Sequence, residues 1–361
     1  MTTNIYQRKD GRFEGRITTG TVEGKRKYKA FFGKTADEVS SKMAEFRKEN
    51  TPLTVSTTMF RSFGKVYDEW FRSISYRVKE STAANYTLKA DKHILPVFGS
   101  MNITEIRQDT IHQFIKNKQD AGLSNRYITD ILVLMKSVFK YAVRTYQIIN
   151  PMDGLIMPKR GKTEIRLLTS EEEARLMQIV MEQQNLTTLG IALARMTGLR
   201  IGELCALQWA DIDLEKRILT VRKTIQRIQV KNGKCKTKLV ITDPKSETSK
   251  RTIPIPECLI DFLKMFQGEP QQFVLSGTEK PVEPRTMQYR FATILKNGNL
   301  PSIHFHALRH MFASGCIRLG FDVKALSEIL GHSGVEITLN RYVHSSFEQK
   351  IEYMDRLKMV V

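Results

Sequence analysis

Nowhere in the 361 residues is there an apolar run approaching the roughly 20 needed to span a bilayer. The stretch from Thr2 to Asp10 is polar and does not read as a signal peptide. Cysteine is scarce. Cys205, Cys235, Cys258 and Cys316 are widely spaced and form no CxxC pair, so neither a zinc module nor a disulfide scaffold is expected. A reducing, cytoplasmic setting fits, and no membrane association is expected. With 21 Gly and 11 Pro the chain is not the kind that stays largely disordered. It also lacks repeats and low-complexity tracts. Acidic residues are short, with 38 Asp plus Glu against 57 Lys plus Arg, a formal charge of +19. A field of that sign attracts a polyanion, nucleic acid before an anionic membrane, although a basic surface can also be merely solvated. The excess is spread along the chain, so several domains would share the contact.

The length exceeds one comfortable core and predicts two or three domains. Residues 5–33 alternate in short stretches broken at Asp10-Gly11 and Glu23-Gly24, where hairpin turns belong. With a helix over 36–49 they predict a three-stranded sheet plus helix, a domain over 1–50. Such a basic sheet can lie in a major groove. Residues 51–57 read as a linker. A helical domain is expected over 58–151, with helices near 60–71, 82–94 (ended near Pro96), 109–119 and 124–146. In the last of these, Ile128, Ile131, Leu132, Met135, Val138, Phe139 and Ala142 share a face. Asn150-Pro151 closes it, and 152–165, with Lys159, Arg160 and Lys162, reads as an interdomain linker. Residues 166–361 form the largest unit. Thr169 and Glu172 have capping-box spacing, 218–255 is strand-rich with a turn at Asn232-Gly233, and helices follow to the end. The expected fold class is multidomain and mainly α with small β-sheets: sheet plus helix, helical middle, mixed α/β third unit.

Four short signatures stand out: Thr197-Gly198-Leu199-Arg200-Ile201-Gly202-Glu203-Leu204, His306-Ala307-Leu308-Arg309-His310, Leu330-Gly331-His332 and Tyr342. Residues 166–344 resemble the catalytic domain of the tyrosine recombinases, the phage integrase family. The first half resembles integrases of conjugative transposons and related temperate phages. Chemistry supports the likeness. Breaking a phosphodiester without a metal needs cationic groups where charge grows on the non-bridging oxygens. Arginine supplies a permanent charge and two prongs. Each residue alone would be ordinary: Arg200 a surface residue, Arg309 half of a salt bridge, Tyr342 core packing.

The resemblance implies a role for each. Arg200 and Arg309 are the paired phosphate clamps. His306, three residues before Arg309 and on the same helix face, takes or positions the tyrosine proton. His332 donates to the scissile phosphate. Lys245, in a mobile hairpin ahead of the strand Arg251-Thr252-Ile253-Pro254, protonates the leaving 5′ oxygen, with Lys250 and Lys238 as rivals. Tyr342 is the nucleophile, a poor one until its proton is removed. Tyr289 comes too early and Tyr353 too late. Glu203 would orient Arg200, with a further acid at Asp211 or Asp213. His310 would be a structural, hydrogen-bonded histidine and His304 incidental.

The expected function is therefore site-specific DNA recombination through a 3′-phosphotyrosyl link and a Holliday junction, with no metal or nucleotide cofactor. The expected partners are double-stranded DNA at core and arm-type attachment sites, and copies of the chain in a homotetramer. An excisionase and a host DNA-bending protein are further candidates. Phe347, Ile351, Met354, Leu357 and Val360 give the last segment an apolar stripe, which could cap its own domain; the expectation is that it docks into a neighbouring protomer, so that the tetramer forms through exchange of this C-terminal helix. A catalytically silent DNA-binding protein and a type IB topoisomerase-like DNA-relaxing enzyme stay open as alternatives.

Overall fold

A computed structural model of the chain describes residues 5–8, 10–22, 25–50, 61–159, 161, 166–230, 236–244, 249–342, 351 and 354–355. The expected turns at Glu23-Gly24 and Asn232-Gly233 fall outside these residues, as do Lys245 and most of the final segment.

Strands β1 (Ile5–Gln7), β2 (Phe13–Val22) and β3 (Lys25–Gly33) form an antiparallel sheet in that order, with Ile5 facing Gly15 and Phe13 facing Gly33. Gly11, in the left-handed region at φ 83°, makes the first turn. Helix α1 (Ala36–Asn50) lies on one face. It lies so close that a β-carbon at Gly15 would sit 2.8 Å from Val39 Cγ1. The other face exposes Tyr6, Tyr28 and Phe32, with Glu14 held there by Arg16 (2.6 Å) and Arg8 (3.1 Å).

A second unit is helical: α2 (Phe63–Ser75), α3 (Glu80–Lys89), α4 (Leu95–Phe98), α5 (Gln108–Asp120) and α6 (Asn125–Tyr146). The apolar stripe of α6 is fully inside, packed with Phe63, Ile94, Phe98 and Ile111 in one core. The helix beginning at Glu80 does not stop before Pro96. A π-turn over Ala90–Ile94 shifts the hydrogen-bond register, and Pro96 falls in the first turn of α4, where its missing N–H has no partner to lose.

The third unit has its own core. It contains α7 (Ser170–Gln183), α8 (Leu186–Thr197) and α9 (Ile201–Cys205). A sheet of β4 (Ile212–Asp213), β5 (Ile218–Val221) and β8 (Arg251–Pro254) follows, with a separate hairpin of β6 (Thr224–Gln229) and β7 (Thr237–Thr242). Then come α10 (Ile260–Lys264), α11 (Pro284–Asn297), α12 (His306–Arg318), α13 (Val323–Leu330) and α14 (Val335–Tyr342). Thr169 and Glu172 form the anticipated capping box on α7. The helical unit meets this one along α3 and the hairpin. Lys79 Nζ donates to the carbonyls of Pro244 (2.8 Å) and Asp243 (3.1 Å), and Glu80 pairs with Lys238.

Gly198 ends α8 in the left-handed region, at φ 66°. A β-carbon there would lie 2.5 Å from Phe312 Cδ1 and 3.0 Å from Leu330 Cδ2. Gly198→Ala is therefore expected to cost about 1–3 kcal/mol, from backbone strain and overpacking. Urea unfolding measures it; an unchanged midpoint would mean that Phe312 yields without cost.

Candidate active site

Four of the six expected catalytic residues, Arg200, His306, Arg309 and His332, line one cavity of about 400 Å³. Glu203 and Lys79 line it too, so the helical unit contributes to its wall. Local structure explains the convergence. Arg200 stands at the N-terminus of α9, just after the glycine that turns the chain out of α8. His306 and Arg309 share one face of α12, three residues apart. His332 follows α13 through Gly331, left-handed at φ 63°. Two bonds close that helix end in a Schellman pattern: Gly331 N–H to Glu328 O (3.0 Å) and His332 N–H to Ser327 O (3.1 Å).

Arg309 is 2% exposed. Its guanidinium donates to Gly198 O and Leu330 O, both at 2.6 Å. Burial, followed by the charge of Arg200, pushes its pKa down to about 9, so it stays cationic at neutral pH. Arg200 donates to Glu203 Oε1 (2.7 Å) and to Gly331 O (2.9 Å). Glu203 also accepts from the backbone N–H of Arg200 (3.0 Å) and from Arg251 Nη2 (2.9 Å). Burial pushes the Glu203 carboxyl up, but the hydrogen bond and charge of Arg251 and the charge of Arg200 outweigh it, and the net direction is down.

That direction sets a pH dependence. A carboxyl held below its ordinary 4.5 contributes stability that is complete above that value and is lost as the pH falls through the lower folded value. Glu203→Gln is expected to destabilise by about 3 kcal/mol at pH 7, because it leaves a buried guanidinium without its anion. The gap to wild type should narrow on acidification. Unfolding midpoints at pH 7 and pH 4 check this; a gap independent of pH would show that the Glu203 carboxyl is not held below its ordinary value.

His332 Nδ1 is 2.8 Å from Thr338 Oγ1, and Thr338 is fully buried. If the threonine hydroxyl donates, the imidazole proton is fixed on Nε2, the tautomer able to donate to a phosphate oxygen. Tyr342, at the end of α14, is 9% exposed and packs with Phe312, Leu326 and Leu330. It is not among the described residues lining the cavity. Its hydroxyl is hydrogen-bonded to His310 Nδ1 at 2.9 Å, and its ring lies parallel to that of His332 at 6.4 Å between centroids. His310 in turn meets His306 edge-on at 4.7 Å. The phenol thus engages the histidine expected to be structural, while His306 stands one ring further on.

Lys245 lies outside the described residues, but Pro244 and Ser249, on either side of that segment, both line the cavity. Its rivals do not line it: Lys238 pairs with Glu80, and Lys250 Nζ is 3.6 Å from Asp243 Oδ2. Asp211 and Asp213 instead accept backbone N–H bonds from Gln208 (3.2 Å) and Lys216 (2.9 Å), stabilising turns. Tyr289 is exposed on α11 and takes a hydrogen bond from Arg285 (2.8 Å). Among the described residues no group of three or more His, Cys, Asp or Glu could hold a metal ion, and no helix is long and apolar enough to cross a membrane.

Sequence reasoning passed over Arg251, His310 as the phenol's partner, and Lys79. Arg251 had a signal. It alternates with Ile253 and Ile255, which are buried, so it falls on the inward face of its strand, where a charge must be paired.

Comparison with known proteins agrees with the geometry. The phage integrase family model matches residues 166–349, and the model of the phage integrase N-terminal SAM-like domain matches residues 62–119. A tyrosine recombinase XerC-like protein of Caldanaerobacter subterraneus subsp. tengcongensis is 30% identical, covering 94% of each chain. The ICEBs1 integrase of Bacillus subtilis is 25% identical over 90% of this chain and 89% of its own. Among solved structures, a Tn1549 transposon integrase in complex with a circular intermediate DNA superposes with a TM-score of 0.66 at 24% identity, covering 82% of this chain and 99% of that one. A lambda integrase tetramer bound to a Holliday junction gives a TM-score of 0.61 at 19% identity, covering 96% and 98%. At those identities the structural likeness speaks for the fold. The family model spans half of the chain and the XerC-like relative matches nearly all of it, so the chain belongs to the phage integrase family of tyrosine recombinases.

Proposed function

We propose that the chain is a site-specific DNA recombinase of a mobile element, with Tyr342 as nucleophile. The observation that carries this reading is the convergence of Arg200, Arg309, His306 and His332 on one cavity, with the Tyr342 phenol bound to a histidine that abuts His306. The two arginines hold the non-bridging oxygens, and His332 donates a third hydrogen bond. Tyr342 Oη attacks phosphorus and loses its proton to the neighbouring histidines. The P–O5′ bond breaks, and Lys245 gives the 5′ oxygen its proton. A 3′-phosphotyrosyl link and a free 5′-OH result. Attack by a partner strand's 5′-OH reverses the step, and two rounds through a Holliday junction exchange the duplexes. No external energy source is needed, because the covalent link conserves the bond.

The three units divide the work on DNA. The N-terminal sheet, whose outer face offers Tyr6, Tyr28 and Phe32 beside Arg8 and Arg16, binds arm-type sites. The helical and catalytic units close around the core site as domains over 58–151 and 166–361, joined by the basic linker 152–165. The lambda integrase relative was captured as a tetramer on a Holliday junction, which supports a homotetramer here. Ile351 and Met354, at 48% and 65% exposed, favour a final helix that docks on a neighbouring protomer. An excisionase and a host DNA-bending protein would set direction.

The test is covalent trapping on nicked suicide duplexes made from the junctions that flank the gene's element. A denaturation-resistant adduct whose peptide map ends at Tyr342 is the expected result. Retarded DNA without adduct, on a substrate shown to contain the crossover site, would favour a silent DNA-binding protein. Relaxation of supercoils by monomers without synapsis would favour a topoisomerase.

A further inference from the structure

We propose that Arg251 is a third arginine of this reaction, one that stays out of the cavity and positions the groups that line it. The inference rests on the recombinase reading above. Arg251 opens β8 with its side chain 6% exposed, and it is not among the described residues lining the cavity. Its guanidinium grips Glu203 with two prongs, Nη2 to Oε2 at 2.9 Å and Nη1 to Oε1 at 3.1 Å. The same Oε1 accepts from Arg200 Nη1. One buried carboxylate is therefore braced between Arg200, which lines the cavity, and Arg251, which does not.

The second grip is on the end of α13. Arg251 Nε donates to Ile329 O (2.5 Å), Arg309 Nη2 to Leu330 O (2.6 Å) and Arg200 Nη2 to Gly331 O (2.9 Å). Three successive carbonyls, at the end of a helix where carbonyls lack intrahelical partners, each accept from a different arginine. The next residue is His332. Arg251 Nη1 also reaches Ser249 O (3.1 Å), at the far end of the segment that carries Lys245. The fit is close: a β-carbon on Gly331 would lie 3.0 Å from Arg251 Cδ.

The geometry explains why this position needs a guanidinium. A lysine ammonium is one point charge and cannot span both oxygens of Glu203, Ile329 O and Ser249 O. Without the second arginine, Glu203 is left to Arg200 alone. The carboxylate then neutralises the clamp and draws it from the phosphate, and the turn before His332 loses one of its three anchors. The cost falls on cleavage rather than on binding, because Arg251 is buried and does not line the cavity.

The experiment compares wild type, Arg251→Lys and Arg251→Gln on suicide duplexes with either an ordinary scissile phosphate or a methylphosphonate, which lacks one charged oxygen. Thermal melts verify folding. On phosphate we expect adduct formation to slow about 10- to 100-fold, as for loss of a transition-state donor or its support, with duplex affinity within about threefold. On the neutral methylphosphonate, where less clamp charge is needed, the deficit should shrink to a few-fold. An equal deficit on both substrates would mean a general structural role and overturn the inference, and so would variants that cleave phosphate at the wild-type rate. If Arg251→Lys fails to fold, Arg251→Gln is judged by the same ratio; failure of both to fold would make Arg251 a folding residue and overturn it too. Absence of adduct from wild type itself would instead sink the recombinase reading, and this inference with it.

Discussion

Tyr342→Phe, a change of one oxygen, is expected to lower covalent capture of DNA by at least about 10³-fold, as loss of a nucleophile does in other covalent enzymes. The fold should survive. The ring of Tyr342 packs with Phe312, Leu326 and Leu330, and phenylalanine fills the same space. What is lost is the hydrogen bond to His310 Nδ1, so a stability cost of about 1 kcal/mol is expected. Duplex affinity should not fall, since the phenol is tucked beside the cavity. Denaturing gels, urea unfolding and mobility shifts read the three quantities separately. An adduct that survives the substitution would move the nucleophile elsewhere, and Tyr353 would be examined next.

The second large effect is expected at Arg309. Both ends of its guanidinium are committed to buried carbonyls, Gly198 O and Leu330 O, while it also faces the cavity. Arg309→Lys can satisfy one carbonyl, leaving the other at a cost of about 1–3 kcal/mol. In the proposed mechanism it would also meet the phosphate with a single ammonium in place of a guanidinium, and cleavage should slow about 10²- to 10³-fold. Burial and the neighbouring Arg200 already push Arg309 down to about 9. Lysine starts from a lower intrinsic pKa, about 10.4, so the same surroundings bring it closer to neutrality. The sign follows: lowering the pH restores the charge, and the activity of the variant relative to wild type should rise as the medium becomes more acidic. A ratio that stays flat from pH 9 to pH 6 would show that geometry alone accounts for the loss.

The sequence disclosed most where one residue type has one physical use. The stripe from Ile128 to Ala142 could only face a core, and it does. Thr169 and Glu172 could only cap a helix, and both bonds form. Three of the four signatures led to residues that line one cavity, although Arg200 and His332 are more than a hundred positions apart, and the fourth, Tyr342, packs beside it with Phe312 and Leu330. What stayed hidden depended on three-dimensional neighbours. Pro96 looked like a stop because a register shift through a π-turn leaves no trace in composition. His306 and His310 lie one helical turn apart, and nothing local says which one the phenol will meet. Asp211 and Asp213 are acids in the right neighbourhood whose carboxylates accept from the backbone N–H groups of nearby turns and do not line the cavity. Arg251 was noticed only as the start of a strand, because its partners Glu203 and Ile329 are 48 and 78 residues away.

The seam between the helical unit and the third unit bears on how this chain comes apart. The two cores share no residue, and among the described residues the contacts of α3 with the β6–β7 hairpin include Lys79 on two carbonyls and the Glu80–Lys238 pair. Partly exposed polar contacts of this kind contribute little free energy and weaken with salt. Each core should therefore melt as its own cooperative unit, and the calorimetric enthalpy of the whole chain should exceed the van't Hoff enthalpy of either transition. No single unfolding free energy then describes the protein. Each stability difference given above belongs to one cooperative unit, and it should be read with a probe that reports on that unit alone.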